Sequence, residues 1–198
     1  MKTFGRVLTA MITSFNDDGS VNIENTVAIA EHLLNHGSDG LVVCGTTGEN
    51  PTISRESKIA LFKAIAETCG DKGTIIANVG SNDTKGSVDF VKEVSAIPGI
   101  DGLLVVVPYY NKPNQQGQYL HFKSIAEATT IPIMVYNVPS RVGTGIFPAT
   151  LARLHNEYPH ICAIKEASGN LMIASEIKRL MPGDDFMVFP LAAPVLFL

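Results

Sequence analysis

The chain has 198 residues, a formal charge of −4 and 45% hydrophobic residues. That charge gives no electrostatic attraction to nucleic acid or to an anionic membrane. No apolar run approaches the roughly 20 residues needed to span a bilayer, and the N-terminus lacks a signal-peptide layout. Cys44, Cys69 and Cys162 show no C-x-x-C spacing and suit a reducing compartment. With no low-complexity linker or break in composition, one cytoplasmic domain over residues 1–198 is expected.

In chain order, the first strand-like segment is Val7-Leu8-Thr9-Ala10-Met11-Ile12. The acidic turn Asn16-Asp17-Asp18-Gly19 lacks the ligand ladder of a calcium loop. Asn22 is a candidate N-cap for a helix on which Ile23, Val27, Ala30 and Leu34 repeat at three- and four-residue steps. His32 and His36 share that helix at a spacing that can bind zinc. They lie off its apolar face with no third ligand nearby, which predicts a solvated face. The second strand, Gly40-Leu41-Val42-Val43-Cys44, runs into Gly45-Thr46-Thr47-Gly48-Glu49. Thr74-Ile75-Ile76-Ala77 is the third. Gly102-Leu103-Leu104-Val105-Val106-Val107 is the fourth and runs into Pro108-Tyr109-Tyr110-Asn111. The fifth, Ile131-Pro132-Ile133-Met134-Val135-Tyr136, continues into Asn137-Val138-Pro139-Ser140-Arg141. The sixth, Ile161-Cys162-Ala163-Ile164, ends at Lys165, and Phe186-Met187-Val188-Phe189 is a seventh candidate. Cys44 and Cys162 fall within strands as small buried hydrophobes.

Apolar strands about 30 residues apart, separated by amphipathic helices, predict a parallel sheet covered by helices. Two architectures share that pattern, the (β/α)₈ barrel and the doubly wound open sheet. Reactive or ligand-binding residue types follow nearly every strand, which is the barrel pattern. An open sheet concentrates its ligand at one switch point, usually beside a glycine-rich fingerprint. Neither G-x-G-x-x-G nor G-x-x-x-x-G-K occurs, so nucleotide binding has little support. The predicted class is therefore an α/β (β/α)₈ barrel.

Lys165 is the most informative residue. An ammonium group at the end of an apolar strand is disfavoured by desolvation, and a free amine there is a nucleophile that makes Schiff bases with carbonyl compounds. The alternatives are a lysine that snorkels into solvent or pairs with Glu166. Gly45-Thr46-Thr47-Gly48 offers backbone N–H groups with little side-chain obstruction, a candidate anion cradle or a plain turn. Arg141 can meet a carboxylate through two parallel hydrogen bonds, or can lie in a surface salt bridge.

Gly45-Thr46-Thr47-Gly48-Glu49, Tyr136-Asn137-Val138-Pro139-Ser140-Arg141 and Ile164-Lys165-Glu166-Ala167 together resemble the dihydrodipicolinate synthase and N-acetylneuraminate lyase superfamily. The likeness runs from about Gly5 to about Val188. It implies a class I aldolase-type enzyme that condenses pyruvate with an aldehyde and needs neither cofactor nor metal. Lys165 would form the imine, and Tyr136, Thr46 and Tyr110 would move protons. Thr46 and Thr47, with Gly45, would hold the pyruvate carboxylate. In the family the tyrosine at the position of Tyr110 reaches a neighbouring subunit's site, which implies a homo-oligomer, a tetramer or a dimer. An arginine at position 141 is typical of members whose aldehyde carries a nearby carboxylate, as aspartate semialdehyde does in lysine and diaminopimelate biosynthesis. A sugar-acid aldolase and a non-catalytic fragment are the competing readings.

The resemblance also identifies departures. Where lysine-regulated members carry histidines and a glutamate, this chain has Arg55, Lys58 and Gly86, while Asn82 and Tyr109 are kept. A barrel of this kind typically needs about 250 residues. Six strands and a seventh candidate are found, so truncation before the eighth strand is expected. Residues 190–198, apolar and with two prolines, form an aberrant tail.

Overall fold

The computed structural model describes residues 4–191. Of the tail 190–198, residues 192–198 lie outside the described residues. The fold gathers into two compact units, residues 1–78 with 92–104, and residues 79–91 with 105–198.

In the first unit, β1 (Leu8–Ala10), β2 (Gly40–Val43), β3 (Thr74–Asn78) and the start of β4 (Gly102–Val106) pair in parallel. Ala10, Val42, Ile76 and Gly102 stand abreast. Every residue of β2 and β3 is buried, as expected of apolar strands in a sheet covered on both faces. Gly40 is required by the close approach of β2 to β3: a Cβ there would lie 2.6 Å from the Thr74 carbonyl oxygen. Helix α1 (Ile23–Asn35) starts where predicted, with the Asn22 side chain accepting from the Asn25 N–H at 2.9 Å. Ser54 caps α2 (Arg55–Cys69) in the same way. Each cap of this kind contributes about 1 kcal/mol. Leu61, Phe62, Ile65, Ala66 and Cys69 form the buried stripe of α2. His32 and His36 are exposed, and their rings stack with centroids 4.0 Å apart.

In the second unit, the Val107 N–H donates to the Tyr136 carbonyl at 3.0 Å, tying the end of β4 to β5 (Ile133–Asn137). β5 pairs in parallel with β6 (Ile161–Glu166), and β6 with β7 (Met187–Pro190). The helices are α3 (Thr84–Ser95, whose last turn belongs to the first unit), α4 (Gln115–Ala126), α5 (Pro139–Val142), α6 (Pro148–Glu157) and α7 (Leu171–Leu180).

Strand order follows chain order from β1 to β7, without the reversal that marks a switch point in an open sheet. This is the barrel order, and seven strands of it are present among the described residues. The fold is therefore the expected (β/α)₈ class, incomplete in this chain. Two local expectations need correction. Cys44 lies just beyond β2 in a left-handed conformation (φ 54°), because the chain turns there into the Gly45 loop. Lys165 lies inside β6 rather than at its limit: the pairings Tyr136–Lys165 and Asn137–Glu166 extend the ladder past the apolar residues.

Candidate active site

Tyr136 and Lys165 stand directly opposite each other on β5 and β6, so their side chains share one face of the sheet. The Lys165 Nζ sits 4.7 Å from the centroid of the Tyr136 ring, and the two residues are 8% and 4% exposed. Burial pushes the Lys165 amine below the ordinary lysine range. The ring face works the other way, favouring an ammonium by about 0.5–2 kcal/mol. Burying an unpaired charge costs several kcal/mol, so the neutral amine gains overall.

The next pair along the same strands is Asn137 and Glu166, both buried and facing the opposite side. Asn137 Nδ2 donates to Glu166 Oε2 at 2.8 Å, and the Ser168 N–H donates to Oε1 at 2.7 Å. Both carboxylate oxygens are thus occupied. The alternative in which Glu166 neutralises Lys165 is excluded by this arrangement, as is a Lys165 reaching into solvent.

Arg141 lies on α5, a single turn that begins at Pro139 and closes on Gly143 in the left-handed region (φ 74°). Pro139 pre-sets the first helical φ, and the Arg141 and Val142 N–H groups donate to the Val138 carbonyl. The Arg141 guanidinium is exposed and makes no ion pair among the described residues, unlike the surface salt bridge of the alternative reading. Tyr110 is 87% exposed in the loop after β4, where it and Lys112 both adopt left-handed conformations (φ 67° and 46°). Asn82 and Asn111 hold that loop through Asn82 Nδ2 to Asn111 Oδ1 (3.2 Å) and Asn111 Nδ2 to the Asn82 carbonyl (3.1 Å).

Gly45, Thr46 and Thr47 belong to the first unit, in the loop after β2. The Gly45 carbonyl accepts from the Gly48 and Asn50 N–H groups, and the Thr46 carbonyl from Glu49. The turn therefore closes on its own backbone while Thr46 and Thr47 remain exposed. Two residues missed in the sequence hold it from either side. Thr13 Oγ1 donates to the Gly48 carbonyl at 2.8 Å, and Asn78 Nδ2 donates to the Cys44 carbonyl at 2.8 Å. Both residues are buried. The second bond braces a left-handed non-glycine residue, a conformation that costs on the order of 1–3 kcal/mol. Their only signal in the sequence is a polar residue at or just beyond the end of an apolar strand.

An amine on an inner strand, its basicity lowered by burial, is of the kind that attacks a ketone or aldehyde carbon. Fold and site together define a barrel-type α/β protein with a buried lysine on a strand beside a tyrosine. The chain belongs to the dihydrodipicolinate synthetase family, whose match covers residues 3–190. It is 50% identical over 186 residues to a 4-hydroxy-tetrahydrodipicolinate synthase of Desulforamulus reducens, spanning 94% of this chain and 62% of that relative. Among solved structures, a dihydrodipicolinate synthase of Bacillus anthracis matches with a TM-score of 0.91 at 40% identity, over 96% of this chain and 64% of that one. The enzyme of Cyanidioschyzon merolae with lysine bound matches with a TM-score of 0.90 at 40% identity, over 94% and 63%. The chain thus spans a little under two thirds of the length of these relatives.

Proposed function

We propose that these residues belong to a 4-hydroxy-tetrahydrodipicolinate synthase, which condenses pyruvate with L-aspartate 4-semialdehyde in lysine and diaminopimelate biosynthesis. The observation that carries this is the buried Lys165 amine over the Tyr136 ring, with its basicity lowered by burial. Family membership and the names of the relatives support the choice of reaction. The amine attacks the pyruvate ketone and water leaves. The resulting protonated imine draws electrons from the adjacent methyl carbon, which loses a proton to give the enamine that adds to the aldehyde. The Tyr136 hydroxyl, a donor and an acceptor, serves the proton transfers beside the amine. Thr46 and Tyr110 are assigned to the same proton relay, Thr47 and Gly45 with Thr46 to the pyruvate carboxylate, and Arg141 to the carboxylate of the aldehyde. These assignments follow the family motifs. No cofactor or metal enters the scheme. Assembly as a homo-oligomer and a cytoplasmic location complete the reading. They are supported by the exposure of Tyr110 and by the absence, among the described residues, of any helix long and apolar enough to cross a membrane.

Borohydride reduction in the presence of pyruvate tests the reading. A reduced pyruvyl adduct is expected at Lys165 by mass mapping, and Lys165→Arg should abolish it, because a guanidinium stays protonated and forms no imine. An adduct at Lys58, Lys63 or Lys123 instead would sink the assignment.

A further inference from the structure

We propose that Asn137 and Glu166 form a positioning clasp that holds Tyr136 and Lys165 in register for attack on a carbonyl. The inference rests on the reading of Lys165 as the reactive amine. The two pairs occupy consecutive steps of one ladder: Tyr136 opposite Lys165, then Asn137 opposite Glu166. Successive residues of a strand point to opposite faces, so the clasp grips the strands from behind while the reactive pair faces the other way. Asn137 and Glu166 are 1% and 6% exposed, and a buried carboxylate stays favourable only when its oxygens are satisfied. Glu166 meets that requirement through Asn137 Nδ2 and the Ser168 N–H.

The clasp also reaches beyond the two strands. Asn137 Oδ1 accepts from the Ile146 N–H at 3.2 Å, in the segment that leads into α6. A Cβ at Gly145 would lie 3.1 Å from that same oxygen, so the segment approaches too closely for a larger residue without displacement. Around the side-chain bond the backbones are cross-linked as well. The Ala167 N–H donates to the Asn137 carbonyl at 2.8 Å, and the Leu191 N–H to the Glu166 carbonyl at 2.9 Å. The side chains thereby fix the relative height of β5 and β6 at the step next to the amine. They also keep the nearest carboxylate in sequence occupied. A carboxylate released towards Lys165 would favour the ammonium and remove the nucleophile.

A polarity swap tests the clasp in the intact chain. Asn137→Asp sets two carboxylates face to face, and Glu166→Gln leaves two amides competing for one geometry. In the double variant Asn137→Asp/Glu166→Gln all three side-chain hydrogen bonds can be remade with donor and acceptor exchanged across the strands. The readout is the rate at which limiting acetic anhydride acylates the Lys165 amine, mapped by mass, with thermal melts to show that each variant is folded. Each single variant should react at least about tenfold more slowly, because a displaced Lys165 side chain presents less free amine to the reagent. The double variant should return to within about threefold of the parent, since its hydrogen-bond count is restored. Single variants that react at the parental rate would overturn the clasp. So would a double variant that melts like the parent yet stays slow. Pyruvate trapped at a lysine other than Lys165 would instead refute the functional reading, because acylation needs no pyruvate and reports on the clasp by itself.

Discussion

Lys165 shows how an amine and a carboxylate on adjacent residues can be kept apart. Position 165 shares its face with an aromatic ring and position 166 shares the other with an amide, so alternation along β6 separates amine from carboxylate. Arg141 presents the complementary case, a charge without a partner. On a one-turn helix, exposed and unpaired among the described residues, it is available to an anionic ligand. If it meets the carboxylate of the aldehyde, Arg141→Ala should weaken use of the aldehyde by roughly 10- to 150-fold, the worth of a charge-assisted hydrogen bond of about 1.5–3 kcal/mol. Pyruvate trapping at Lys165 should be largely unchanged. Parallel loss in both assays would assign Arg141 a structural role.

At the scale of elements, α4 carries the clearest pH-dependent feature. His121 is buried on that helix, with Nδ1 2.8 Å from Thr84 Oγ1 and no hydrogen-bond partner for Nε2 among the described residues. Burial lowers its pKa from 6.5 to about 4, against a smaller upward pull from Asp83. The unfolded chain binds this proton below about pH 6.5 while the folded chain stays neutral, so stability rises with pH between about 4 and 6.5. The contribution is fully present above that window and is lost as pH falls through it, by up to about 3 kcal/mol. Urea unfolding at pH 7 and pH 4.5 should show that His121→Gln, which lacks the titrating ring, loses less stability on acidification than the parent. Equal losses would mean that His121 is readily protonated in the fold.

For the whole molecule, family membership sets an expectation about regulation that local chemistry modifies. Arg55 is held by Glu93, with NH2 2.7 Å from Oε2, and Lys58 is half-buried with its basicity lowered by burial. Both stand where the family resemblance places histidines in lysine-regulated members. At Gly86 a Cβ would lie 2.6 Å from Asp83 Oδ2, so a glutamate there would have to displace that carboxylate. A unit cation opposes an ammonium-bearing ligand by about 1 kcal/mol at 4 Å in water, and the Glu93 partner offsets part of this at Arg55. If the proposed function holds, millimolar lysine is therefore expected to leave the steady-state rate of the full-length protein unchanged. Saturable inhibition in a titration would show that the charge argument is wrong.

The strands, their parallel order and the placing of a lysine at the end of an apolar strand were legible in the amino-acid sequence because each rests on a local signal. Apolar runs recur at βα spacing, Asn22 caps a periodic helix, and Lys165 closes a run that has no other charge. The turn at Cys44 and the extension of β6 through Lys165 were not legible, since the Asn78 side chain and the ladder with β5 fix them. The helical turn at Arg141 rests on bonds to the Val138 carbonyl that no apolar periodicity announces. The roles of Thr13, Asn78 and Asn137 depend on partners 35, 34 and 29 residues away in the chain. A polar residue at a strand end is ambiguous by itself. Parallel register determines which residue stands opposite it, and that register is set by packing between strands joined through whole helices. Sequence alone therefore determined the class of fold and singled out Lys165 as the candidate nucleophile. Tertiary structure decided that Lys165 faces a tyrosine and that its neighbouring carboxylate faces an amide.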